Sequence, residues 1–422
     1  MANLLEKASI ILTATAYSDG KMHSAKPIVS TNPSIGDFDF ARASVATRVN
    51  EQGLIEEVAS GLPRIDYTDG SGSWLLEPTS TNIITSSEDF SNGGFWNTTL
   101  TTVATSTIVS PDGLQGSYKL VPDNGIGGNR SIAHNYPSLT GIHTHTCFAK
   151  KGEYNYLMLR TRNGPNASAM FDLANGTISA IGAGASYVDS KIENIGNGWY
   201  RCSITLDPSL ADTVGQLYIS MSVGITGTET NSFDGDGTSG IYIWGSQFEE
   251  NSYSTSYIKT VGTAQTRVAD TASGSGNSTV INSTEGVLYA EIKGLADDST
   301  IREIAISDGT NNNRIELRFA DLNSEIDLVV RSIDSSVQAN FGTTSYDVTN
   351  FNKVAVRYKL NDVSLWVNGV KINTDTSAIM PINLSELAFD SGAGANDFYG
   401  KTKSVQVYTT ALSDAELTSL TT

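Results

Sequence analysis

The chain has 422 residues and a mass of 44.9 kDa, more than one hydrophobic core usually organises, so two to four domains are expected. Its 27 Lys and Arg against 45 Asp and Glu give a formal net charge of −18 and a pI of about 4.6. That balance excludes sequence-independent binding to nucleic acid and insertion into anionic membranes, which need basic patches. Hydrophobic residues at 39% and charged residues at only 17%, with Val, Ile, Tyr, Phe and Trp well represented, describe a folded β-rich chain rather than a disordered one.

The first apolar run, Ala8 to Ala16, is short, broken by threonines and preceded by Glu6 and Lys7, so it reads neither as a secretory leader nor as a membrane span. Residues 1–90 show few clear strand alternations and several turn clusters, among them Thr31-Asn32-Pro33-Ser34 and Thr68-Asp69-Gly70-Ser71-Gly72, and read as an extended attachment segment. From 91 to 270 short strands alternate with Gly and Asn turns. Leu217, Ile219, Met221 and Val223 share one face, the period of two of a half-buried antiparallel strand. Cys147 and Cys202 are too few for a disulfide framework; they read as small apolar core groups in strands, with a disulfide between them left open.

Residues 271–284, with the run Ala272 to Ser283 rich in Ser, Gly and Asn, have the composition of a linker. Residues 285–422 form a last unit. Arg302 to Phe319 predicts two strands with Ile304, Ile306, Ile315, Leu317 and Phe319 turned inward. Asn368-Gly369 predicts a type I′ hairpin, and Ser413-Asp414-Ala415-Glu416 has capping-box spacing for a short C-terminal helix. The fold class is all-β: an N-terminal attachment segment followed by two antiparallel β-sandwiches.

Ala41-Arg42-Ala43-Ser44, Pro63-Arg64-Ile65-Asp66-Tyr67, Leu75-Leu76-Glu77-Pro78 and Ser87-Glu88-Asp89-Phe90 run in an order that resembles the N-terminal module of tailed-bacteriophage virion proteins. Asn197-Gly198-Trp199-Tyr200-Arg201-Cys202 and Ile241 to Glu249 resemble a carbohydrate-binding-module sandwich. Residues 285–422, closing on Val405 to Tyr408 and Ala411 to Leu417, resemble laminin-G or concanavalin A-like domains. The resemblance implies a tail fibre, head fibre or adhesin assembled in the host cytoplasm and carried on the virion. Its N-terminal region would dock on other virion proteins, and by analogy with fibres it would be a homotrimer that attaches to host-surface glycans.

A concanavalin-like fold also hosts glycoside hydrolases, which need two carboxylates flanking the scissile bond. Glu325-Ile326-Asp327-Leu328 begins such a pattern, but Val329 and Val330 occupy the positions of the second glutamate, so no catalytic residue is assigned and an outer face carrying Glu325 and Asp327 is expected. For metals, His143-Thr144-His145 places two imidazoles on one strand face. Three copies around a trimer axis would make a six-nitrogen site, whereas Cys147 on that face argues that it turns inward. Asp234-Gly235-Asp236-Gly237-Thr238 offers Asp234 and Asp236 to calcium, or is a plain Asp-Gly turn without any cofactor. Glycan binding requires exposed aromatics and planar polar groups. Opposite Leu157 and Leu159 stand Tyr156, Arg160 and Arg162, and opposite Ile241 and Ile243 stand Tyr242 and Trp244; these five are the candidate glycan contacts, the alternative being that they pack against a neighbouring sheet or subunit.

Overall fold

Ile10, Ile11 and Leu12 make the strand Ala8–Ser18 the most apolar segment of the N-terminal region, and its partner lies at the other end of the chain. Ile10 faces Val407, Ile11 faces Gln406 and Leu12 faces Val405 of the antiparallel strand Gly400–Tyr408. The computed structural model describes residues 4–27, 34–162, 167–207, 215–224 and 232–422; Thr31, Asn32 and Pro33 of the expected turn lie outside the described residues. Two units result. The first comprises Met1–Val45, Val58–Pro78 and Val268–Thr422; the second comprises Ala46–Glu57 and Thr79–Arg267. Divisions placed at 90, 270 and 285 follow the linear order of the chain, and these units do not. Sheet pairing is non-local, and alternation within a window reveals a strand without revealing its partner.

In the first unit an eleven-stranded sheet runs, along its main path, in the order Thr271–Ser273, Phe38–Ala41, Lys21–Lys26, Ala8–Ser18, Gly400–Tyr408, Glu285–Gly294, Asn352–Lys359, Val363–Val367 and Val370–Asp375. A five-stranded sheet, in the order Ser336–Thr343, Ile326–Ser332, Arg314–Phe319, Arg302–Ser307 and Glu386–Ala388, packs on it. Ile304, Ile306, Ile315, Leu317, Phe319, Ile326, Leu328 and Val330 fill the core between them, as the alternation predicts. Each such side chain contributes roughly 1.5–3 kcal/mol by leaving water. The segment 271–284 is part of this unit rather than a linker: Thr271–Ser273 pairs with Phe38–Ala41, and Val280 and Ile281 join the core. Asn368 and Gly369 take φ of +48° and +83°, the left-handed pair a type I′ turn demands. The capping box forms as predicted, with Ser413 and Glu416 bonded reciprocally. The helix Asp414–Thr421 buries Leu417 in a cluster with Trp366, Tyr289 and Ala355.

Four charged side chains sit beside the points where the chain leaves and re-enters this unit, and they form one buried network. Arg42 Nη1 donates to Asp270 Oδ1 (3.1 Å), and Arg42 Nη2 and Nε reach the carbonyls of Ala59 (2.7 Å) and Ser44 (2.9 Å). Arg64 donates to Glu77 Oε2 (2.6 Å) and to the other oxygen of Asp270, which also accepts from the Glu77 amide (2.8 Å). The side chains of Arg42, Arg64 and Asp270 are completely buried and that of Glu77 nearly so. Two cations and two anions cancel, the condition under which buried charge is tolerated.

The second unit is a sandwich of two six-stranded antiparallel sheets. The first has the order Thr177–Ala183, Ala167–Asp172, Tyr156–Arg162, Gly215–Ser222, Ser131–Tyr136, Trp96–Thr99; the second has Thr101–Thr105, Tyr118–Pro122, Ile241–Glu249, His143–Lys151, Trp199–Leu206, Tyr187–Gly196. Leu157, Leu159, Leu217, Ile219 and Met221 face Ile204, Ile243 and Phe248 across the core, while Val223 falls past the strand end and is half exposed. Cys147 and Cys202 lie directly opposite one another in this core as free thiols, both pushed up by burial. A further aromatic layer covers the back of the second sheet: Phe148, Trp199, Trp244 and Tyr257 pack together there. Gly245 makes this possible, since at its φ of +53° a Cβ would crowd Phe148 and Tyr257.

Candidate functional site

Among the candidate glycan contacts, Tyr156 and Arg160 stand, as the alternation requires, on the face of the first sheet away from the core; the side chain of Arg162 lies outside the described residues. Arg160 is 8% exposed and its guanidinium stacks over the ring of Tyr218, its cross-strand neighbour, at 4.5 Å. The contact continues sideways: Tyr218 donates its hydroxyl to Gln216 Oε1 (2.6 Å), and Gln216 Nε2 donates to Asn135 Oδ1 (2.9 Å). Exposure rises along the row from buried Arg160 and Tyr218 to half-buried Gln216 and exposed Asn135. Gln216 and Asn135 face each other across neighbouring strands, so two planar amides stand beside an aromatic ring, a surface suited to hydroxyl groups.

The other predicted site residues are placed differently. Trp244 is 2% exposed, packed between Tyr257 at 4.8 Å and Phe148 at 5.3 Å, and is a packing residue rather than a platform. Tyr242, half-buried beside it, carries the Lys119 ammonium over its ring. His143 and His145 point into the core, against Phe248, so the face turns inward and is closed to a site shared around an axis. His145 is fully buried with Nε2 at 3.1 Å from Ser246 Oγ, and burial together with the nearby His134 holds it down to about 3. Asp236 is engaged by its own turn, accepting from Thr238 N, Ser239 N and Ser239 Oγ, which hold it well below the usual range. Asp234 accepts from Gly127 N at 2.8 Å. Among the described residues no three acidic, His or Cys side chains are grouped to hold a metal ion.

The sequence reading missed a charged face in the first unit. Where Ile304, Ile315 and Leu328 point inward from the five-stranded sheet, Glu303, Arg314, Glu316, Arg318, Asp327 and Arg331 point outward. Asp327 accepts two bonds from Arg318, at 2.8 and 2.9 Å, and Glu316 is paired with Arg314 and with Arg331 (3.1 Å). Glu303 accepts from Asn396 Nδ2 (3.1 Å), and burial followed by the charge of Glu316 pushes its carboxyl up to about 7. Asp327 thus takes the outer position expected of it, and Glu316 on the neighbouring strand sits enclosed under Arg314 and Arg331. The signal was present as the alternation Arg314, Glu316, Arg318 within one strand. A separate groove of about 810 Å³ in this unit is bordered by Asn282, Leu360, Ile379 and Ile382.

Residues 271–418 match the family described as the concanavalin A-like lectin/glucanases superfamily, of laminin-G type, in agreement with the sandwich built by the C-terminal part of the first unit. Solved structures similar to part of the chain include the Ruminococcus gnavus IT-sialidase CBM40 bound to α2,3-sialyllactose, with 20% identity over 34% of this chain and 86% of that one and a TM-score of 0.31. Domain 4 of an extracellular arabinanase from Geobacillus stearothermophilus, in complex with arabinotriose, shares 15% identity over 41% of this chain and 84% of that one, with a TM-score of 0.30. The receptor-binding domain of botulinum neurotoxin D shares 9% identity over 32% and 35% of the two chains, with a TM-score of 0.26. No curated protein matches the sequence. Likenesses this distant leave the ligand to be argued from the chain's own residues. The fold they accompany is all-β, built of antiparallel sandwiches with a concanavalin A-like domain.

Proposed function

We propose that the chain is a non-enzymatic glycan-binding protein of a tailed-bacteriophage virion, a tail fibre or adhesin that attaches the particle to a host surface. The virion assignment, with docking on other virion proteins and a trimeric state, rests on the resemblance carried by Arg42, Arg64, Glu77 and their neighbours. The glycan assignment is carried by one observation: half-buried Gln216 and exposed Asn135 set two planar amides in line on a sheet face, held in place by the buried Arg160–Tyr218 stack beneath them. Contacts of this size are individually weak, and many copies on one particle convert millimolar binding into durable attachment. A catalytic role for the charged face of the first unit is disfavoured because Asp327 and Glu316 are each paired with arginines.

Two experiments test the reading. On a glycan array, Gln216→Ala and Asn135→Ala should each lower binding about tenfold, the loss of roughly 1.4 kcal/mol expected of one or two hydrogen bonds. Both positions retain exposure, so the fold is undisturbed, and unchanged binding by both variants refutes the row. Electron cryomicroscopy of the intact particle should find the chain on the tail; finding it on capsomers would make it a head fibre or decoration protein, and its absence from the particle would remove the virion assignment.

A further inference from the structure

Ser18, His23 and Asp37 of the first unit are joined by hydrogen bonds in the order of a serine–histidine–aspartate triad. His23 Nδ1 lies 2.8 Å from Asp37 Oδ2, and His23 Nε2 lies 2.9 Å from Ser18 Oγ. The pairing of three neighbouring strands brings them together. In the hairpin of Ala8–Ser18 and Lys21–Lys26, Ser18 is opposite Lys21, so His23, two residues on, is its diagonal neighbour on the same face. On the other side Met22 is opposite Phe38, the first residue of Phe38–Ala41, which leaves Asp37 beside His23.

The roles of the two ring nitrogens follow from what they face. An ionised carboxylate only accepts, so Nδ1 carries the proton and donates to Asp37, and Nε2 is left with the lone pair that accepts the Ser18 hydroxyl proton. Asp37 is buried and held in place: its Oδ1 accepts from Ser24 N (2.7 Å) and Ser24 Oγ (3.1 Å) while Oδ2 holds the ring. The other charged pair on this face, Lys21 with Asp39, is satisfied within itself. Exposure rises from buried Asp37 through the His23 side chain, 38% exposed, to exposed Ser18. With the ring open to water, Nε2 has no need of a serine for its own satisfaction, and a small ester reaches Ser18 Oγ directly from solvent.

We propose that Ser18 is an activated nucleophile and the site of covalent acylation by small carboxylic esters. Ser18 Oγ attacks the ester carbonyl as His23 Nε2 takes its proton. The bond from the carbonyl carbon to the alkoxy oxygen then breaks and the departing alkoxide takes that proton, so the products are O-acyl-Ser18 and a free alcohol. Asp37 is a positioning residue: it fixes the tautomer and steadies the ring while His23 holds the proton. Open water screens the charge that develops on the carbonyl oxygen, so the step is a single slow acylation rather than rapid turnover. The site lies in a different unit from the Gln216–Asn135 row and stands independently of it.

Incubation of the full chain with p-nitrophenyl acetate, followed by peptide mass mapping, tests it. One acetyl group per chain should appear on Ser18, faster than on any other hydroxyl. Ser18→Ala should abolish it, and the exposure of this position keeps that variant folded. His23→Gln should slow the acetylation about hundredfold, the contribution of a positioned general base. In Asp37→Asn the Ser24 amide keeps the acceptor oxygen, so the new N–H₂ faces the ring. Acetylation should slow tenfold or more, and the nitrogen-15 spectrum of the imidazole should show its proton moved from Nδ1 to Nε2, a change that loss of packing alone does not produce. Acetylation confined to lysine side chains overturns the proposal, as does acetylation of Ser18 that is as fast in His23→Gln as in the unaltered protein. An imidazole proton found on Nε2 in the unaltered chain also overturns it.

Discussion

Replacing Asp270 by Asn removes one negative charge from the centre of the buried network in the first unit while leaving its shape. Asp270 accepts from Arg42 Nη1, from Arg64 Nη2 and from the Glu77 amide, and its side chain is inaccessible to solvent. In Asp270→Asn two guanidinium groups share the single charge of Glu77, and the new amide N–H₂ must face a donor. Removing one partner of a buried pair typically costs about 3–5 kcal/mol, because the charge left behind is uncompensated. The carbonyls of Ser44 and Ala59 that hold Arg42 keep the loss from exceeding that range. Urea unfolding followed by hydrogen exchange of the strand Ala8–Ser18 reads the loss in this unit. The loss should persist from low to high salt because the site is dry, whereas an exposed pair such as Lys7 with Glu416 should contribute about 1 kcal/mol or less and fade with salt. Adding Arg42→Gln to Asp270→Asn should restore part of the stability by returning the network to neutrality. A destabilisation by Asp270→Asn below about 1 kcal/mol, or one that vanishes in salt, would refute the reasoning.

The remaining predictions concern the second unit. His145 is held down to about 3 in the fold, while an unfolded imidazole gains its proton near pH 6.5, so its contribution to the stability of the second unit is constant above pH 6.5 and falls as pH drops from there towards 3. Each pH unit costs roughly 1.4 kcal/mol, about 3 kcal/mol by pH 4.5, and His145→Gln should reduce the slope by one proton in paired urea titrations at pH 7 and 4.5; an unchanged slope would show that His145 is not the group. Cys147 and Cys202 should resist a thiol reagent in the native protein and both titrate after denaturation, since burial keeps them protonated and inaccessible; rapid native labelling would contradict their placement. Trp244→Ala should cost about 3–5 kcal/mol of stability by emptying the space between Tyr257 and Phe148. Circular dichroism melts check this, and a stable variant that loses only glycan binding would restore Trp244 as a platform.

Period-two alternation made the inner faces legible: Ile304, Ile315, Leu328, Leu217 and Ile219 all point into the cores where the sequence places them. Local chemistry made the Asn368-Gly369 turn and the Ser413 cap legible, because both are decided by adjacent residues. Alternation does not say what lies beyond the second face. Arg160 and Trp244 both stand off the core, yet one is sunk beside Tyr218 and the other lies under Tyr257, from the irregular stretch that follows the strand Ile241–Glu249. The same limit hid the Arg42–Arg64–Glu77–Asp270 network, whose members lie as many as 228 residues apart and meet where Thr271–Ser273 pairs with Phe38–Ala41 and the Asp270 amide bonds the Glu77 carbonyl. It also hid the charged face, where Arg314, Glu316 and Arg318 alternate visibly but Glu303 and Asp327 arrive through register. In a layered β protein, then, a residue off the core face is not thereby a surface residue. The useful functional signal is what the next layer leaves uncovered, and by that standard half-buried Gln216 and exposed Asn135 outrank Trp244.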